Sequence, residues 1–181
     1  MWPILCTVNQ QGPYTIALWY GEGKPTILRE YFEKFVAEMK FFFINGYVGL
    51  KVMVKAFVCN APARAFLKCI KGHSGYDSCE RYQEHGEYNK GIRLLGTKSL
   101  LRDDKKFKEN FYLKHQIGKS PLSDIEIRMV TGFVLDYMHL VCLGITKKLM
   151  KNYINNIGSS VHSKISSELL EIRKCTPSDF H

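Results

Sequence analysis

Three strings in this chain bring together side chains able to do chemistry. In the first, Val58 to Ala65, an apolar run ends at Asn60 and helix-forming residues begin at once. In open α/β sheets, residues just past the carboxyl ends of strands line the functional crevice. A carboxylate there would hold a hard divalent cation, which prefers oxygen ligands. Asn60 is a neutral and weaker ligand, and its amide can instead cap the following helix. The second string, His73 to Tyr82, contains Cys79 with Tyr82 three residues on. Zinc sites often use two thiolates in a Cys-x2-Cys turn, because both can then share one tetrahedral ion. Only one thiolate is present here, and a solvated loop is the alternative; His115 and His139 complete a site only if the fold brings them close. The third string, Leu135 to His139, places Asp136 at a helix start, where it can cap the helix or, with His139 three residues on, orient a metal.

Other chemistries find no support. Gly21 and Gly23 lack the third glycine and the strand–helix setting of a phosphate loop. The spacings assign no Ser–His–Asp or Cys–His arrangement. The chain has 181 residues with a net charge of +9, from 26 Lys and Arg against 17 Asp and Glu. That balance favours a polyanionic partner, of which nucleic acid is the commonest. The six cysteines suggest no disulfide framework, and Cys6, Cys59 and Cys142 sit in apolar runs, so a reducing intracellular compartment is expected. No signal peptide is legible, and no apolar stretch is long enough to span a bilayer.

The elements that must position these residues follow from periodicity. Pro3 to Val8 and Thr15 to Tyr20, joined through a turn at Asn9 to Pro13, predict a β-hairpin. Thr26 is a candidate N-cap, followed at helical spacing by Leu28, Tyr31, Phe32, Phe35, Val36, Met39 and Phe43. Asn45 and Gly46 stop that helix. Lys51 to Cys59 suits a mostly buried strand, and Ala63 to Ile70 a short helix with Pro62 in its first turn. From Lys71 to Ser120 no periodicity survives. Leu135 to Ile154 then carries Met138, Cys142, Ile145, Leu149 and Tyr153 on one helical face, and Val161, Ile165, Leu169 and Ile172 form another stripe. The order strand, strand, helix, strand, helix, insertion, helix, helix implies an α/β layer architecture. It divides into a core over 1–70, an irregular insertion over 71–122 and a helical part of the same domain over 123–181.

Taken together, Val54 to Lys68, Ile70 to Tyr76 with Cys79 to Arg81, and Leu135 to Gly144 resemble the transposase-domain proteins of animal DNA transposons, similar to the CACTA-type group. Trp2 to Cys6 and Ile16 to Gly21 fit as well. The resemblance implies a ribonuclease-H-like mixed sheet flanked by helices, a zinc-binding insertion and a nuclear location. It implies three acids holding two Mg²⁺ ions, which activate the attacking oxygen and stabilise the leaving one in phosphodiester cleavage and strand transfer. The first acid is expected on a strand preceding Trp2, the second where this chain has Asn60, and the third at Asp136. Cys79, His115 and His139 stand where zinc ligands are expected, with Tyr82 in place of a thiolate. Arg64, Lys68 and Lys71 are the basic residues placed to meet nucleic acid. DNA and a second copy of the chain are the implied partners.

The departures set the functional expectation. With the first acid outside this chain and Asn60 in place of the second, too few carboxylates remain to balance two metals and a phosphate. The expectation is a transposase-derived chain, catalytically inactive, with residual DNA binding. Two alternatives stand beside it: a domesticated non-enzymatic protein-interaction module, and an active metal nuclease whose acids are supplied elsewhere.

Overall fold

In the computed structural model, which describes residues 2–96 and 98–175, the first apolar runs close on themselves as an antiparallel hairpin. Strand β1 (Trp2–Val8) pairs with β2 (Gln11–Trp19) from Trp2 opposite Trp19 to Val8 opposite Gln11. The turn is tighter than the sequence suggests, with Asn9 at φ 49° and Gln10 at φ 67°. Positive φ at both central residues matches the strand twist of a two-residue hairpin.

Helix α1 (Leu28–Asn45) forms where the apolar stripe predicts it and buries Leu28, Phe32, Phe35 and Val36. The Tyr31 hydroxyl donates to the Trp2 carbonyl at 3.1 Å, which ties this helix to β1. Thr26 does not cap it: Ile27 precedes the first turn and no side chain accepts its free N–H groups. The helix ends at Gly46, which is at φ 70°. A Cβ there would lie 2.5 Å from the Leu50 carbonyl oxygen, so only glycine fits.

The strand expected over 51–59 is mostly absent. Only β3 (Phe57–Val58) finds a partner, the parallel strand β6 (Phe133–Val134). Val52 and Val54 keep the alternation of a strand, being half-buried, while Met53 is 73% exposed. No strand among the described residues pairs with 51–56, so the segment keeps the pattern without the ladder. Helix α2 (Ala61–Lys68) follows β3 directly.

The segment 71–122 is irregular, as its lack of periodicity implies. Its described residues form the short hairpin β4 (Glu87–Tyr88) and β5 (Ile92–Arg93), helix α3 (Asp104–Lys108) and the start of a 3₁₀ turn at Pro121–Asp124. It is not peripheral, however. Phe107, Tyr112 and Leu122 join Ile125, Ile127, Met129, Val130 and Phe133 in one core with the buried face of α1. The Phe57 and Phe133 rings stack across the parallel pair, with centroids 4.8 Å apart. Each such buried side chain contributes roughly 1.5–3 kcal/mol. Because of these contacts residues 123–135 belong with the first part of the chain. The described chain forms two compact units, 1–135 and 136–181.

The second unit is helical. A π-helix over Met138–Thr146 leads into α4 (Lys147–Asn155), and α5 (Ser159–Lys174) follows. The single helix expected from Leu135 thus begins beyond Asp136 and changes its winding on the way. No described residue of this unit is buried. The described chain is mixed α/β, with five α-helices, three two-stranded sheets and no closed barrel. Among the described residues no helix is long and apolar enough to cross a membrane.

Candidate functional site

Each of the paired parallel strands is followed, two residues past its end, by one of the residues singled out by sequence: Asn60 after β3 and Asp136 after β6. Asn60 caps helix α2. Its backbone is extended and its Oδ1 accepts the Ala63 N–H at 3.0 Å. Pro62 sits in the first helical turn, where its missing N–H leaves no gap.

Asp136 lies in the second unit, where its carboxylate is engaged on both oxygens. Oδ1 accepts the backbone N–H groups of Met138 at 2.9 Å and His139 at 3.3 Å. Oδ2 meets the His139 ring nitrogen Nδ1 at 2.5 Å. The carboxyl is held below the ordinary aspartate value, first by the His139 hydrogen bond. Asp136 is therefore a helix cap and the orienting partner of His139.

The residues present do not fit the metals that the resemblance implies. A pair of Mg²⁺ ions needs several carboxylates, but Asn60 is neutral and hydrogen-bonded to the helix it caps. A tetrahedral zinc ion needs four donors. Cys79 Sγ accepts the Tyr82 N–H at 3.3 Å, but Tyr82 brings no thiolate. His139 is in the second unit, paired with Asp136. Among the described residues no three His, Cys, Asp or Glu side chains gather as a metal site.

His115 is fully buried. Its Nδ1–H donates to the Asp77 carbonyl at 2.7 Å, and its Nε2 has no partner. Burial, reinforced by the Arg102 charge, lowers its pKa from 6.5 to about 4. The imidazole is neutral at physiological pH.

Two of the three basic residues expected to meet nucleic acid face inward instead. Lys68 has 0% and Arg64 5% of its surface exposed. Both bond the Glu80 carboxylate, Arg64 Nε to Oε1 at 2.8 Å and Lys68 Nζ to Oε2 at 3.0 Å. The Lys68 ammonium also lies 5.3 Å from the Phe107 ring centroid and 5.4 Å from that of Phe133. Their helix α2 turns this face to the core, so neither can reach a phosphate backbone. Lys71 remains partly exposed and pairs with Asp77 at 3.7 Å.

The buried charges are not evident from the sequence. Glu80 lies inside the string that carried the resemblance but reads as an ordinary loop acid. The one available signal is the spacing of Arg64 and Lys68, four apart on a short helix, which puts two cations on one face in need of an anion.

No family model matches the chain, and neither a curated protein nor a solved structure matches it significantly.

Proposed function

We propose that this chain is a transposase-derived protein with a ribonuclease-H-like ancestry that does not cleave DNA and keeps sequence-independent affinity for it. The observation that carries the loss of catalysis is Asn60, which stands past a parallel strand where a metal-binding acid would be needed and whose amide caps a helix. Support for the DNA partner comes from the net charge of +9 and from basic side chains that remain in solvent. Lys147, Lys148 and Lys151 share one face of α4 and are all exposed. They replace Arg64 and Lys68 as the candidates for phosphate contact, since exposed lysines can displace counterions from the duplex.

Incubation with supercoiled plasmid and Mg²⁺ tests both halves. Retardation of intact plasmid at low salt is expected. Nicking would overturn the loss of catalysis, and unretarded plasmid would overturn the DNA partner.

One observation favours the reading as a protein-interaction module. The second unit leaves Leu143, Ile145, Leu149, Tyr153, Leu169 and Ile172 exposed, a large apolar surface for so small a unit. Light scattering that returns the monomer mass across a range of concentrations would count against self-association through this unit.

A further inference from the structure

We infer that the irregular segment over 71–122 is fastened to the core by an ionic staple centred on Glu80, and that it folds without zinc. It takes from the family resemblance only the expectation of a zinc ion at Cys79.

The tripeptide Cys79 to Arg81 is held from three directions. Glu80 bridges Arg64 and Lys68 on α2 through its two oxygens. Arg64 continues from that bridge to the Cys59 carbonyl at 2.9 Å and the Val134 carbonyl at 3.4 Å, one beyond β3 and one at the end of β6. Arg81 donates to the carbonyls of Val130 and Phe133. Arg102 donates from Nε to the Cys79 carbonyl at 3.0 Å and from its backbone N–H to the Arg81 carbonyl at 2.7 Å, while its guanidinium covers the Tyr112 ring. One short stretch of loop is thus tied to α2, to β6 and to the chain around residue 102.

A structural zinc ion does the same work in small irregular segments: it joins distant parts of a chain that lack enough secondary structure to hold themselves. Here the joining groups are charged side chains whose partners are already satisfied. The donors that a zinc ion would need do not gather among the described residues: Tyr82 occupies the second turn position and the His139 ring is bonded to Asp136. Glu80 is the essential member. Removing it leaves two buried cations without an anion, which is the costly way to break a buried ion pair.

The experiment uses the full chain. Metal analysis of the purified protein is expected to return well under one zinc per chain. Its thermal melting is expected to be the same with and without a strong chelator, and Cys79→Ser to melt with the wild type. Glu80→Gln is expected to lose roughly 10 °C or more. Stoichiometric zinc with a melting point that falls on chelation overturns the inference, as does a Glu80→Gln variant that melts like the wild type. Should Glu80→Gln prove insoluble, Glu80→Asp keeps the charge and shortens its reach. It is expected to melt below the wild type, and an unchanged melting point there overturns the inference too. None of these readouts involves DNA, so the staple and the DNA-binding reading stand or fall separately.

Discussion

Consider what a fall in pH from 7 to 5 does at His115. In the folded protein the imidazole is buried and neutral, with its pKa lowered from 6.5 to about 4. The unfolded chain takes up a proton on this residue near pH 6.5, while the folded chain resists it. A proton on Nε2 would have no acceptor, since that nitrogen is buried without a partner. Folding stability is therefore present above pH 6.5 and drains away as the pH falls towards 4. A difference of 2.5 units makes the loss about 2 kcal/mol between pH 7 and pH 5, approaching about 3 kcal/mol in stronger acid. The depressed carboxyls of Asp77, Glu80, Asp124 and Asp136 act lower, as the pH falls below the ordinary carboxylate range, so pH 5 isolates the imidazole. Urea unfolding followed by the fluorescence of Trp2 and Trp19 gives the readout. The midpoint should fall by about 1 M with little change in slope. His115→Asn keeps a donor for the Asp77 carbonyl but cannot titrate, and its midpoint should move little between the two pH values. An equal fall in that variant, or a His115 resonance titrating near the free value, would show that the buried imidazole is not the source of the loss.

Two further expectations concern the helix α2. Lys68→Met should be mild, within about 1 kcal/mol of the wild type, because Glu80 keeps Arg64 and the buried charges come closer to balance; a loss of about 3 kcal/mol or more in chemical denaturation would show that the ammonium contributes more than its desolvation costs. Asn60→Ala should cost about 1 kcal/mol by loss of the cap, and Asn60→Asp should cost almost nothing. Equal melting of Asn60→Ala and the wild type would show that the cap is unimportant.

What could be read from sequence was what repeats locally. The stripe from Leu28 to Phe43 gave α1, because helical spacing alone decides which side chains face a core. The hairpin followed from two apolar runs and a turn, and the cap at Asn60 from residue type and position. Non-local features were not legible. Lys51 to Ala56 has a strand's pattern, but whether a neighbour lies beside it depends on distant chain. Arg64 and Lys68 look like solvent-facing cations until Glu80 is brought over them from the irregular segment. Phe107, Tyr112 and Leu122 enter the core from a stretch with no periodicity at all. Asp136 was legible as a helix start, and its use of both carboxylate oxygens on its own unit was not.

The proposed residual, non-catalytic affinity for DNA is best probed through the salt dependence of binding to two unrelated duplexes. Contacts from Lys147, Lys148 and Lys151 alone imply a slope of about −2.7 in log affinity against log salt, so raising salt fourfold should weaken binding roughly 40-fold, equally for both sequences. Absence of binding at low salt, or binding that salt leaves unchanged, would exclude phosphate contacts from these lysines.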